Sequence, residues 1–336
     1  MQDPIRRELM EMIQGGWVAH CLGAACRLAL PERLEGGALS LAELAEAVSA
    51  QERNLARLMR ALAGLGLVRR LEDDRYELSE KGQLLRAEHP LSLRGFALLA
   101  TSPEIQNAWG GLTFGVQSGE VAFERIYEKS FTDYAGDNPE FGRLVEQALR
   151  DKDRGTVAAL LTAYDFSPFQ TIADLGGGEG HLLLCVLAKN FNARGILFDL
   201  PDVAEKAKAA VSEHPTGSRC RVVGGDCFQA VPRGADLYLM KSFLNLWEDA
   251  AAVTVLNNCR RAMAPGSRLL IIEPILLPPN RPDPAKLADL QLMVLQKTGL
   301  RDWDQIEALL GQAGFEALEL YPSDSEFSII EAQPMV

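Results

Sequence analysis

Three aspartates and a run of glycines stand at the spacing a nucleoside-binding sheet requires. Asp174 closes the apolar stretch TIAD and is followed by four glycines in five residues: Gly176, Gly177, Gly178 and Gly180. Asp199 closes RGILFD, 25 residues after Asp174, and Asp226 closes CRVVGGD. Glycines let main chain approach a ligand closely, and the helix expected from HLLLCVLAKN would offer free N–H groups to negative or polar atoms. An acid ending the second strand is where an α/β nucleotide site holds ribose hydroxyls. A glycine turn alone is equally well an ordinary loop. With acids at the next two strand ends, the combination predicts a nucleoside site.

The elements that must position these residues follow from residue 170 onward. Apolar strand-like runs alternate with helical ones: TIADLGG and a helix to 190; RGILFDL and DVAEKAKAAVSE; RCRVVGGD; ADLYLMKSF and a helix over 248–264; SRLLIIEPIL. Such alternation predicts a parallel sheet with crossover helices. The tail differs. A helix over 303–313 ends at Gly314, and FEALELY and EFSIIEAQ flank Pro322-Ser323-Asp324-Ser325, which predicts an antiparallel hairpin closing the sheet.

Upstream, Ile5, Leu9, Met12 and Ile13 recur at helical spacing, and residues 1 to about 30 read as helix. Ser40 opens a second helix, NLARLMRALAGLGLV follows, and RRLEDDRYELSEKGQLL gives two short strands around Glu72-Asp73-Asp74. Helix, helix, hairpin is winged-helix order. Such a unit either reads DNA or is reused for dimerisation; without an excess of base over acid, dimerisation is the expectation. Residues 90 to 168 read as mostly helical and concentrate Trp109, Phe114, Phe123, Tyr127, Phe131, Tyr134 and Phe141. Most of these rings are expected in the core, and some could roof a pocket for a flat ligand.

Composition narrows the function. At 336 residues the chain suits two or three domains, and a net charge of −12 argues against nucleic-acid or anionic-membrane binding. Six cysteines without a C-x-x-C pair, and four scattered histidines, predict no metal site and reduced thiols. No secretory leader pattern opens the sequence and no apolar run reaches spanning length, so a cytoplasmic protein is expected.

With these residues in place, the sequence resembles the S-adenosylmethionine-dependent small-molecule methyltransferases of the caffeate and hydroxyindole O-methyltransferase type. The resemblance covers nearly the whole chain. GGWVAHCLGAACRLALPERLEGG and NLARLMRALAGLGLV look like the family's dimerisation domain; DLGGGEG, FDLPDV, GGDCF, DLYLMKSFLNLW and AGF follow in the family's order. The resemblance implies a class I methyltransferase sheet with an antiparallel last strand, behind a helical, winged-helix-like dimerisation domain. The expected division is residues 1–100 for dimerisation, 101–168 for a helical connector over the acceptor, and 169–336 for the cofactor domain. It implies S-adenosylmethionine as cofactor, held by Gly176 and Gly178 at the methionine part and Asp199 and Leu200 at the ribose. Asp226, Cys227 and Phe228 would take the adenine, with Lys241 and Ser242 contacting the cofactor from the fourth strand. Asp226 has an ordinary alternative as a loop cap, and Lys241 as a solvated strand-end charge.

The pattern breaks at one place. In the O-methylating members the run after the fourth strand reads leucine-histidine-aspartate-tryptophan, and the histidine is the general base. Here it reads Leu244-Asn245-Leu246-Trp247, and an amide does not titrate near neutral pH. Leu246 replaces the aspartate, and Leu300, before Arg301, stands where a glutamate is usual. Three explanations remain open. The acceptor needs no base, as a heteroaromatic nitrogen or an acidic phenol would not, and phenazine N-methyltransferases of this family are similar in lacking the histidine. Alternatively another group serves, such as Lys297, Tyr127 or a carboxylate not identifiable from sequence. Finally, the fold binds the cofactor for a non-methylating rearrangement or hydroxylation. Asn245 is the candidate orienting residue, and Trp109, Met293, Gln296 and Lys297 are the candidate substrate contacts. The expected partners are a small aromatic or heteroaromatic substrate and a second copy of the chain.

Overall fold

The structure, a computed structural model, describes residues 3–335. It divides into two compact units. One ends at Arg154 and includes Val294–Gln296; the other comprises Gly155–Met293 and the chain from Lys297 onward.

In the first unit, the opening helical stretch is three helices, Pro4–Ile13, Gly15–Arg27 and Leu30–Arg33. The break before the third falls at Ala29, whose φ of +53° no helix accommodates. The helix Leu41–Ala47 starts at a capping box, with Ser40 and Glu43 satisfying each other's main-chain N–H groups. The helix Glu52–Gly64 follows, and Gly66 turns the chain with φ +72°. Strands β1 (Val68–Arg70) and β2 (Tyr76–Leu78) then pair antiparallel, Val68 opposite Leu78. Cys26, Leu44, Leu55, Met59, Leu62 and Tyr76 form the core of this winged-helix arrangement. Pro4–Ile13 buries nothing: Ile5, Met12 and Ile13, with Trp17 beyond, are each more than three-fifths exposed. Further on, the rings of Phe123, Tyr127, Phe131, Tyr134 and Phe141 pack on one another at centroid distances of 4.6–5.7 Å.

The second unit is built on β3 (Thr171–Leu175), β4 (Arg194–Asp199), β5 (Cys220–Gly224), β6 (Leu237–Lys241), β7 (Arg268–Glu273), a short pair β8 (Ile275–Leu276) and β9 (Arg301–Asp302), and the final β10 (Phe315–Pro322) and β11 (Ser328–Pro334). Seven strands form one sheet in the order β10-β11-β7-β6-β3-β4-β5. Strands β3 to β7 run parallel, and β11 pairs antiparallel with both β7 and β10. The last strand is thus inserted between β7 and β10. The parallel strands are nearly continuous apolar runs because helices cover both faces, and Leu175, Leu197, Leu239 and Ile271 are fully buried. Chain order reverses between β3 and β6, which opens a crevice at the carboxyl edge of the sheet.

Candidate active site

Because β3 to β7 are parallel, the residues that follow them share that edge. Gly176 leaves β3 with φ +70°, and its N–H donates to the Phe198 carbonyl at 2.8 Å. A Cβ on Gly176 would lie 2.3 Å from the Phe243 ring, so an aromatic wall closes directly on the glycine turn. Gly178 (φ +57°) donates its N–H to Asp199 Oδ2 at 2.8 Å, while Leu200 donates to Asp199 Oδ1 at 2.7 Å. Asp199 therefore fixes the glycine turn to the end of β4, and each carboxylate oxygen keeps a second lone pair for a ligand hydroxyl. Leu200, beside it, is 54% exposed.

Asp226 caps its own loop: Oδ1 accepts the Phe228 N–H at 2.8 Å and Oδ2 accepts from Gln229 Nε2 at 3.4 Å. Cys227 points into the core, and its carbonyl accepts from Asn258 Nδ2 at 2.7 Å. Burial, and then the negative charges of Asp199 and Asp226, push its thiol up to about 12, which makes it a small apolar side chain, not a nucleophile. Phe228 meets Trp247 edge-on at 4.8 Å, and Phe243 stands 6.3 Å from the same indole.

The turn after β6 is the least ordinary stretch of main chain here. Lys241 carries its Nζ 5.3 Å from the centre of the Phe327 ring. Ser242 has φ +51°, an unfavourable value for a residue with a side chain. Its N–H donates to the Ile272 carbonyl at 3.0 Å, which ties the strained residue to the sheet. Asn245 is 8% exposed, and its N–H donates to Glu273 Oε1 at 2.9 Å. Its Oδ1, and the Nε1 of Trp247, are buried with no hydrogen-bond partner among the described residues. Buried polar atoms are normally satisfied, so two such atoms beside one turn point to a ligand that completes them.

Two residues that sequence reasoning passed over hold this turn. Glu273 ends β7 and is 1% exposed. Burial raises its carboxyl to about 7; the main-chain N–H of Asn245, the Arg301 guanidinium and the N–H groups of Leu244 and Phe243 pull the other way. Arg301 donates from Nη1 to the Leu244 carbonyl at 2.9 Å, and from Nη2 to the Trp247 carbonyl at 2.6 Å and Asp249 Oδ1 at 2.9 Å. Leu246 and Leu300 imply that the family's supporting acids are absent. A buried acid does support the turn, from β7, and its signal was the same strand-end position that drew attention to Asp199 and Asp226.

The remaining candidates are placed within their own units. In the first, Trp109 is half-buried on the helix Pro103–Gly110, Gln296 is half-buried, and the Tyr127 hydroxyl accepts from Asn107 Nδ2 at 2.9 Å. In the second, Met293 is half-buried on the helix Ala285–Leu295 and Lys297 is exposed. Among the described residues no cluster of metal-ligating side chains occurs, and no helix is long and apolar enough to cross a membrane.

Comparison with known proteins identifies the family and the fold. The O-methyltransferase domain family matches residues 109–316, and the O-methyltransferase dimerisation domain matches residues 10–88. A phenazine O-methyltransferase of Lysobacter antibioticus is 35% identical over 332 residues, 99% of this chain and 97% of the relative. The crystal structure of an 8-amino-8-demethylriboflavin dimethyltransferase of Streptomyces davawensis superposes with a TM-score of 0.86 at 32% identity, covering 99% of this chain and all of that one. A methyltransferase of calicheamicin biosynthesis, solved with S-adenosylhomocysteine bound, gives a TM-score of 0.87 at 29% identity over 99% of this chain and 100% of its own.

Proposed function

The chain belongs to the S-adenosylmethionine-dependent O-methyltransferase family and methylates small secondary metabolites; from that premise we propose that its acceptor is a flat aromatic or heteroaromatic compound methylated without a histidine base. The observation that carries the proposal is Asn245. It occupies the turn after β6, where the resemblance puts the family's histidine, and its buried Oδ1 has no partner among the described residues. An amide there orients an acceptor and removes no proton, which suits a ring nitrogen that attacks through its lone pair, or a phenol already ionised. The relatives span both chemistries, since one is named for O-methylation of phenazines and another for methylation of an amino group.

Bound at this edge, S-adenosylmethionine supplies a methyl group on a cationic sulfonium, an electrophile that needs no further activation. The chain's contribution is positional. Asp199 accepts the two ribose hydroxyls on its remaining lone pairs. Gly176 and Gly178 give the methionine part room along their main chain. Asp226 and Phe228 would hold the adenine, and Leu200 would stand at the ribose. Lys241 and Ser242 bound the site on the β6 side. Cys227 would contribute as core packing behind the adenine-binding loop. Holding acceptor and methyl group in line provides much of the acceleration without proton transfer. Met293 and Lys297 are proposed to bound the acceptor.

The same family membership supports a homodimer through the first unit. The bare face of Pro4–Ile13, with Trp17, is the surface a second copy would cover.

The test is turnover of a panel of nitrogen heteroaromatics and acidic phenols, with Asn245→Ala beside the wild type. We expect methylated product from at least one compound, a rate loss in the variant of no more than about tenfold, the size of one neutral hydrogen bond, and no new pH dependence. Loss of several orders of magnitude with a bell-shaped profile would place Asn245 in a proton relay and refute the proposal. Intact S-adenosylmethionine that copurifies and is never consumed would favour a non-methylating reaction.

A further inference from the structure

Between β8 and β9 the chain makes a closed excursion. Ile275 pairs with Arg301 and Leu276 with Asp302, so residues 277–300 leave and return side by side. The outgoing loop, Leu277 to Pro284, has prolines at 278, 279, 282 and 284, and a proline has no N–H to offer a neighbouring carbonyl. Lys286 supplies donors instead. Its Nζ donates to the carbonyls of Pro278 at 2.8 Å, Pro279 at 3.0 Å and Arg281 at 2.7 Å. An ammonium has three donors, so this clasp occupies all of them. Asp283 closes the loop from its other side, accepting the N–H groups of Leu277 and Ala285, both at 2.9 Å.

Lys286 also belongs to the helix Ala285–Leu295. Asp289 and Met293 follow it at the i+3 and i+7 positions, and that spacing puts all three on one face of the helix. Asp289 is pinned as well. Its Oδ1 accepts the Leu300 N–H at 2.7 Å, and a Cβ on Gly299 would lie 2.9 Å from the same oxygen, so the returning chain passes directly against it. Two anchors on one face fix the rotation of the helix about its axis. Met293 is the next position on that face and takes its direction from them.

We propose that Lys286 is a positioning residue for acceptor selection: by clasping the proline loop it fixes, together with Asp289, the rotation of the helix Ala285–Leu295, and so sets how far Met293 reaches into the acceptor site. The proposal rests on the methyl-transfer reading for the role of Met293, whereas the anchoring of the helix does not. A methionine has three rotatable bonds and moulds itself to what it touches, so the backbone that carries it decides where the wall stands. The ammonium acts only through this backbone, because its donors are already held by main-chain carbonyls. An arginine would be a poor substitute, since its planar fork cannot present three donors around one point.

The experiment replaces Lys286 with alanine in the full chain and returns the missing piece as free n-propylammonium, which carries the carbons and the charge that the substitution removes. Two quantities are read. The first is the NMR signal of the Met293 methyl group in protein with isotope-labelled methionine, assigned by its loss in Met293→Leu; it reports the side chain's surroundings without any acceptor. In Lys286→Ala this signal should shift, n-propylammonium should return it toward the wild-type position, and uncharged n-propanol should not. The second is kinetic, on an acceptor found in the panel: KM should rise at least about fivefold, with the loss falling on KM and not on kcat, while the Kd for S-adenosylhomocysteine stays within about twofold. Asp289→Ala removes the other anchor and should shift the same signal; it decides the matter if Lys286→Ala does not fold. An unmoved Met293 signal, a shift that n-propylammonium does not reverse, or an unchanged acceptor KM would overturn the proposal. Failure to find any methyl acceptor would defeat the methyl-transfer reading and leave the NMR result to decide the anchoring, so the two failures are distinguishable.

Discussion

Replacing Asp199 with alanine tests the cofactor site most directly. The side chain makes two kinds of contact. Toward the protein, its oxygens accept the N–H groups of Gly178 and Leu200 at 2.8 and 2.7 Å. Toward the ligand, each oxygen has one lone pair left, which matches the paired hydroxyls of a ribose. Removing it deletes a charged acceptor of two ligand hydrogen bonds and also frees the glycine turn from β4. Hydrogen bonds to a charged group contribute about 1.5–3 kcal/mol each when lost. Part of that loss is recovered because water reaches the half-buried site, so a net 2–3 kcal/mol is expected, or roughly 30- to 150-fold weaker binding. The assay is calorimetric titration with S-adenosylmethionine and S-adenosylhomocysteine on wild type and Asp199→Ala, with circular dichroism to establish that the variant folds. Asp199→Asn should fall between the two, because one oxygen survives while the new NH2 faces an N–H donor. A folded alanine variant that binds within about threefold of wild type, a difference below 1 kcal/mol, would refute the assignment of Asp199 to the ribose.

Three further outcomes are expected. Gly176→Ala must place a side chain at φ +70° and against the Phe243 ring; it should lose at least about 2 kcal/mol of stability by urea denaturation, and a loss under about 0.5 kcal/mol would show that the turn is more pliable than its geometry. Glu273 binds its proton more tightly in the folded chain, from 4.5 up to about 7, so its contribution to stability is complete below about pH 4.5 and is lost as pH rises through about 7. Relative to Glu273→Gln, wild type should therefore lose up to about 3 kcal/mol across that window, and a pH-independent difference in urea midpoints would contradict this. Ile13→Glu combined with Trp17→Glu alters only exposed side chains and should yield a folded monomer in sedimentation velocity; an unchanged dimer would move the interface elsewhere.

What the sequence disclosed and what it withheld divide along a physical line. Signals carried by the chain's own neighbourhood were legible. Gly176 and Gly178 do form a tight turn after β3, Asp199 ends β4 and Asp226 follows β5 by two residues, and Ser40 does open the helix Leu41–Ala47. The antiparallel hairpin at the tail was legible too, although its insertion beside β7 rested on the family resemblance. Relationships across the fold stayed hidden. Glu273 reads as one acid among apolar residues, and nothing local says that three N–H groups from residues 243–245 converge on it. Arg301 reads as a motif residue, and its grip on the carbonyls of Leu244 and Trp247 exists only once β9 lies beside the turn. The opening stretch is helical nearly as far as the sequence implies, to Arg27, but it is broken at Gln14, a residue that carries no sequence mark of a helix end.

The insertion of β11 has a consequence for how the protein is made. Synthesis runs from the N-terminus, so β7 is finished long before β11, the last strand in chain order. Until β11 arrives, one edge of β7 is open, with Leu270, Ile271 and Ile272 on a strand whose main-chain groups on that side lack partners. An open apolar edge of this kind is a template for a strand from another molecule. Nascent chains, and chains nicked before Ser328, should therefore be captured by chaperones or aggregate before they are merely inactive. The interval between the two strands is the window in which that edge of β7 stays exposed.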